Sequence, residues 1–202
     1  WDAPGYGASE DWSIDEPLVS DYVSAINGLL DKLDVGTAHM VGHSFGGTLM
    51  PAFQKAHPDR VFSMVLAQPV IGSGPLGAMK QEEIIASREK LLAELGVEVY
   101  AQQHAPRSVA PTADAITVAR GIEVTSWTRV KGYLAQWRVM ARANIYEEIG
   151  DVTCPVTVIA GAGDKTASGV TVKQITASIP GACFVELPDV GHMIYLEHPD
   201  RF

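Results

Sequence analysis

Only two cysteines occur in the chain, Cys154 and Cys183, too few for a disulfide framework. Both open predicted strands and are read as reduced core thiols, in keeping with the burial of free cysteine. There is no CxxC pair and no HExxH, and the six histidines are scattered, so nothing supports a metal site. Runs of lysine or arginine are missing too. The 15 basic residues face 24 acidic ones, a net charge of −9. That balance excludes the basic face needed for nucleic acid or an anionic membrane. No apolar stretch reaches the roughly 18 residues of a membrane span, and no signal peptide is visible, which fits a cytoplasmic location. An initiator methionine is absent as well, and the chain opens on "WDAPGYGAS". Repeats and low-complexity tracts are not found.

What is present suits one domain with a sizeable core: 202 residues, 47% hydrophobic. Four short apolar runs read as buried parallel strands, at 38–43, 61–68, 155–161 and 183–188. Helix-period segments alternate with them, at 20–33, 45–58 and 168–180. In the first, Tyr22, Ile26, Leu29, Leu30 and Leu33 share one face. This alternation predicts an α/β fold, a parallel sheet with helices on both faces. Between the second and third strands the pattern breaks. Residues 72–77 read as a flexible approach, followed by predicted helices over 80–96 and 125–150. In the latter, Trp127, Val130, Leu134, Trp137 and Ala141 recur at helical spacing. Such a helical excursion is either packing on the domain or a lid over a cleft. Pro51, inside the helix at 45–58, should kink it.

The stretch Gly42-His43-Ser44-Phe45-Gly46 is a G-x-S-x-G pattern. Alone it is weak, since chance supplies one in roughly fifteen chains of this length. Its place is more telling, at a strand's C-terminal end and opening a helix, where a nucleophile elbow must lie. There Ser44 is either a nucleophile in a strained turn or a small turn residue. The glycines two residues to either side leave room for strand and helix to approach. The helix N-terminus favours developing negative charge.

A serine hydroxyl needs a base, and the base needs an orienting acid. Asp164 lies just past the third strand and His192 just past the fourth. In a parallel sheet these ends share one edge with Ser44. Asp189 is a weaker competitor for the acid, because it suits a turn cap, and the loop after the second strand holds no carboxylate. His43 is expected to point away from the nucleophile. His39, His57 and His198 read as strand-entry, helix-end and surface residues, whereas His104 has only a slim route to the cleft.

These segments resemble the α/β-hydrolase fold, in the serine-nucleophile branch with a helical cap, over essentially the whole chain. "WDAPGYGAS" is similar to the segment after that fold's fourth strand, "GHSFGGT" to its elbow, and "GAGD" and "GHMIYLEHPDRF" to its acid and histidine segments. The combination is similar to esterases, enol-lactonases and carbon–carbon-bond hydrolases. The resemblance implies core residues 1–71 and 151–202 with a cap at 72–150. It implies a catalytic Ser44, Asp164 and His192, and an oxyanion donor in the Phe45 N–H. It further implies a small-molecule substrate, no cofactor and no metal, with Trp127, Tyr133 and Trp137 as candidate lining residues. Two other readings use the same elbow: a silent small-molecule binder, and an acyltransferase or perhydrolase.

The resemblance also has gaps. Three strands and an oxyanion loop that precede "WDAPGYGAS" in the family have no counterpart here, so the second oxyanion donor is expected outside this chain. The sequence is expected to be part of a longer hydrolase, the alternative being a short form that has lost activity. "GAGDKTAS" lacks the valine-proline that often follows the family's acid.

Overall fold

Four short β-rich runs pair side by side in the order in which the sequence presents them. The computed structural model describes residues 1–202. Strands β1 (Ala38–His43), β2 (Val61–Ala67), β3 (Val156–Gly161) and β4 (Cys183–Leu187) form one parallel sheet in the order β1-β2-β3-β4. Parallel pairing brings all four C-terminal ends to the same edge. Into that edge run the loops carrying Ser44, Gln68, Asp164 and His192.

Helices α1 (Val19–Lys32), α2 (Phe45–Ala56) and α6 (Gly169–Ala177) bury their apolar sides with one face of the sheet. Met64 and Leu66 of β2 and Val156 and Val158 of β3 meet Tyr22, Ile26, Phe53 and Ile175 there. The expected α1 face is present, with one exception. Leu33 is 62% exposed, because the helix ends at Lys32 and Leu33 is only its cap. α2 runs unbroken through a buried Pro51.

Helices lie on both faces, but unequally. The opposite face holds a small cluster of Ala67, Ile159, Leu187, Val190 and Ile194, covered by the four-residue helix α7 (Ile194–Glu197). Val41 and Val185 on that side are exposed. The core-thiol reading is corrected for Cys183, whereas Cys154 packs against the main core. Cys183 opens the edge strand β4 and is exposed, and Cys154 is partly buried; both are free.

The excursion is more helical than the sequence pattern suggested. α3 (Ala78–Ser108) turns at Gly96, whose φ of 69° and ψ of 166° are non-helical. α4 (Ala115–Ser126) and α5 (Val130–Arg142) follow. Helix 125–150 is therefore shorter than expected, and its predicted face is met only in part: Leu134 and Trp137 pack against Tyr100 and Tyr133, and Ala141 is buried. Trp127 and Val130 are exposed, while Gly132, Tyr133, Ala135, Val139, Met140 and Ala141 are buried. Residues 72–77 are also tighter than a flexible approach. Gly72 has φ of 85°, and a Cβ on it would collide with the Ala143 carbonyl, while one on Gly74 would lie 2.6 Å from the Arg142 carbonyl oxygen. No helix is long and apolar enough to cross a membrane.

Candidate active site

Ser44 stands between β1 and α2 with φ of 53° and ψ of −112°, a conformation that costs a non-glycine residue about 1–3 kcal/mol. Its N–H donates to the Ala67 carbonyl at 2.9 Å, which pins the turn to β2. The close approach that permits the turn belongs to Gly42, where an added Cβ would sit 2.5 Å from the Gly46 carbonyl oxygen. Around Gly46 itself there is open space, so the room expected at both glycines is needed at only one. Ser44 occupies the N-cap of α2, yet its hydroxyl caps nothing. It is hydrogen-bonded to His192 Nε2 instead, at 2.9 Å.

The other ring nitrogen of His192, Nδ1, lies 2.7 Å from Asp164 Oδ2. The Asp164 side chain is fully buried, and its second oxygen accepts the Thr166 and Ala167 N–H groups at 2.7 and 3.1 Å. With both oxygens engaged, the carboxylate has one orientation. Ser44, His192 and Asp164 thus form an unbroken hydrogen-bonded series. Asp189 has a positive φ of 57° in an exposed turn and takes no part in it. Phe45, the first residue of α2, has an N–H with no intrahelical acceptor, beside the Ser44 hydroxyl.

Support for His192 comes from residues the sequence reading passed over. Its own N–H and that of Met193 donate to the Ser108 carbonyl at 2.7 and 3.1 Å. The Glu197 carboxylate accepts the Gly191 N–H (2.8 Å) and the Ala110 N–H (2.8 Å). Gln68, fully buried after β2, donates from Nε2 to the Gly191 carbonyl. It stands in the loop after β2, which holds no carboxylate. His43 forms no hydrogen bond with the Ser44 hydroxyl, but it is not idle. Its Nε2 donates to the His192 carbonyl at 2.6 Å, and its ring lies 4.9 Å from that of His192. Burial, then the neighbouring His192, pushes the His43 imidazole down to about 4, which leaves it neutral.

A cavity of about 500 Å³ opens over Ser44 and His192, walled by Val70, Ile71, Tyr133, Trp137 and Met140. A second, of about 390 Å³, meets it at the same pair and extends toward Trp127 and Tyr195. Of the three aromatic candidates, Tyr133 and Trp137 therefore line the first space, and Trp127 sits 66% exposed at the rim of the second. The slim route proposed for His104 is real. It stacks on Tyr100 and faces both spaces, and its imidazole is lowered by burial and then by Arg88. Tyr100 and Tyr133 share a hydrogen bond of 2.9 Å, and Tyr6 donates to Gln136. An i, i+4 pairing of Tyr100 and His104 was the one sequence signal for this wall. No group of three or more His, Cys, Asp or Glu is arranged to hold a metal ion.

Against known proteins, the alpha/beta hydrolase family matches the chain over residues 1–202. The chain is similar, at 24% identity, to the 2-hydroxy-6-oxo-6-phenylhexa-2,4-dienoate hydrolase of Burkholderia cepacia; the match covers 100% of this chain and 72% of that protein. Among solved structures it superposes on the enol-lactonase from Burkholderia xenovorans LB400 with a TM-score of 0.85 and 26% identity, over 100% of this chain and 75% of that one. A thermophilic esterase from Thermogutta terrifontis shares the fold, with a TM-score of 0.88 at 21% identity, over 99% of this chain and 74% of its own.

Proposed function

The chain belongs to the alpha/beta hydrolase family and is a hydrolase enzyme, and from that premise we propose that it cleaves a small ester, lactone or related carbonyl compound through an acyl-serine intermediate. The carrying observation is the hydrogen-bonded series from Ser44 through His192 to Asp164, with links of 2.9 and 2.7 Å, built on a strained elbow. Ser44 Oγ attacks the carbonyl carbon while His192 Nε2 takes its proton. The oxyanion that forms accepts the Phe45 N–H at the N-terminus of α2, a positive helix end already oriented toward it. Asp164 accepts the Nδ1–H, which fixes the tautomer and stabilises the imidazolium. His192 then protonates the leaving group; in the second half it takes a proton from water as the water oxygen attacks the acyl carbon, and it returns that proton to Ser44 Oγ as the Oγ–carbon bond breaks and the carboxylic acid departs.

Residues 1–71 and 151–202 supply this machinery, and residues 72–150 act as a cap that encloses the substrate. The dienoate and the enol-lactone for which these relatives are named support a small carbonyl substrate for this chain. The test is labelling with a fluorophosphonate followed by peptide mapping. We expect one adduct, on Ser44, abolished in Ser44→Ala and in His192→Ala, with ester turnover lowered at least about a thousandfold in both. An adduct elsewhere, or turnover surviving in Ser44→Ala, overturns the proposal.

A further inference from the structure

The space around Ser44 is electrically lopsided. The larger lobe, between α3 and α5, is lined by one permanently charged side chain, Arg88, and by no Asp or Glu. The smaller lobe, toward Trp127, is lined by Asp2 and by no Lys or Arg. Ser44 and His192 lie where the two lobes meet.

Arg88 is also without an anion of its own. The acids along its part of α3 are taken by other cations: Glu82 by Arg142, Glu83 by Lys80, Glu89 by Arg138 and Glu94 by Lys90. Arg88 enters no ion pair and no side-chain hydrogen bond. What holds it is the face of Trp137, with the guanidinium carbon 4.0 Å from the ring centroid. Stacking of this kind fixes the plane of the guanidinium and leaves its edge N–H groups free. A cation left unpaired in a chain of net charge −9, half-buried in a pocket with no carboxylate in its lining, lacks the partner that its desolvation calls for.

We propose that Arg88 recognises a carboxylate on the substrate, seating that end in the lobe between α3 and α5 and directing the uncharged end toward Trp127. The planar guanidinium suits a carboxylate, which it binds through two parallel N–H donors. Asp2 disfavours the reversed pose, because it would meet a like charge in the smaller lobe. Val70, Ile71 and Met140 lie along the larger lobe and suit a short hydrocarbon link between carboxylate and scissile carbonyl. The substrate class is thus a carbonyl compound with one anionic arm and one neutral, apolar arm. Arg88 acts on which substrate is bound and how it points, not on the chemical step.

The inference rests on the serine-hydrolase reading, and its test separates the two. Turnover is compared for two anionic esters and their neutral counterparts. Mono-4-nitrophenyl glutarate is set against 4-nitrophenyl butyrate, and 4-(butyryloxy)benzoate against its methyl ester. At least one anionic ester should show a kcat/KM preference that falls about ten- to a hundredfold in Arg88→Met. Arg88→Lys should restore part of it, and the loss should lie mainly in KM. Folding of each variant is checked by its thermal transition. Independently, monomethyl glutarate should perturb tryptophan fluorescence in Ser44→Ala but not in Ser44→Ala combined with Arg88→Met. If neither ester pair responds to residue 88 and the monoester binds the double variant equally well, Arg88 is not the recognition residue. If no ester is turned over yet the fluorescence response depends on Arg88, the hydrolase reading fails and the carboxylate site stands.

Discussion

Ser44 and His43 are neighbours in sequence and take opposite parts in one site. Ser44 bears the strained backbone, while His43 tucks under the loop of His192 and holds its carbonyl at 2.6 Å. A neutral His43 serves that contact, and its depression from 6.5 to about 4 ties folding to pH. The unfolded chain binds this proton below about pH 6.5 and the folded chain only below about 4, so stability from this residue is complete above 6.5 and is lost as pH falls toward 4. Urea unfolding at pH 7 and pH 4.5 should show wild type losing on the order of 2 to 3 kcal/mol more than His43→Gln, which keeps a donor but cannot titrate. At this scale the sequence was most readable where a side chain ends a strand. Ser44, Asp164 and His192 were legible because each follows the C-terminal end of a parallel strand. Arg88, His104 and Gln68 were not, since what they do depends on which neighbours have already paired with other groups.

Among the elements, α3 shows where pattern reading stops. Its first half was expected to end at Gly96, and the chain does leave helical geometry there. The helix then resumes to Ser108, and α4 follows with only Gly121 buried, so neither carries a clear apolar stripe. In α5 the apolar pattern finds only part of the buried face, because the closest contacts run through small residues. Gly132 packs directly on the Gly5 backbone, and a Cβ at either would collide with the other, whereas the large Trp127 and Val130 face outward. The turn at Gly96 sets the angle between the half bearing Arg88 and the half bearing Tyr100 and His104. With φ of 69° and ψ of 166° it sits in a region open essentially to glycine alone. Gly96→Ala should therefore cost about 1–3 kcal/mol in thermal or urea unfolding, although nothing lies within 4 Å to clash with the methyl group. It should also raise KM, because the two cavity walls shift apart.

For the molecule as a whole, the decisive join lies between the excursion and the sheet. Glu197 ties Gly191 to Ala110, and Ser108 receives the N–H groups of His192 and Met193. The sheet itself was legible from four β-rich runs; this join was not, because every donor in it is a backbone N–H that no side-chain pattern announces. Glu197→Ala leaves two enclosed N–H groups without an acceptor, so stability should fall by about 2 kcal/mol. Hydrogen exchange should quicken together at residues 109–111 and 191–193, and protection unchanged at either stretch would contradict the coupling. The carbonyl of Ser108 is thus a mechanical interlock. The end of α3 and the loop that bears the imidazole are fastened together at a single oxygen atom.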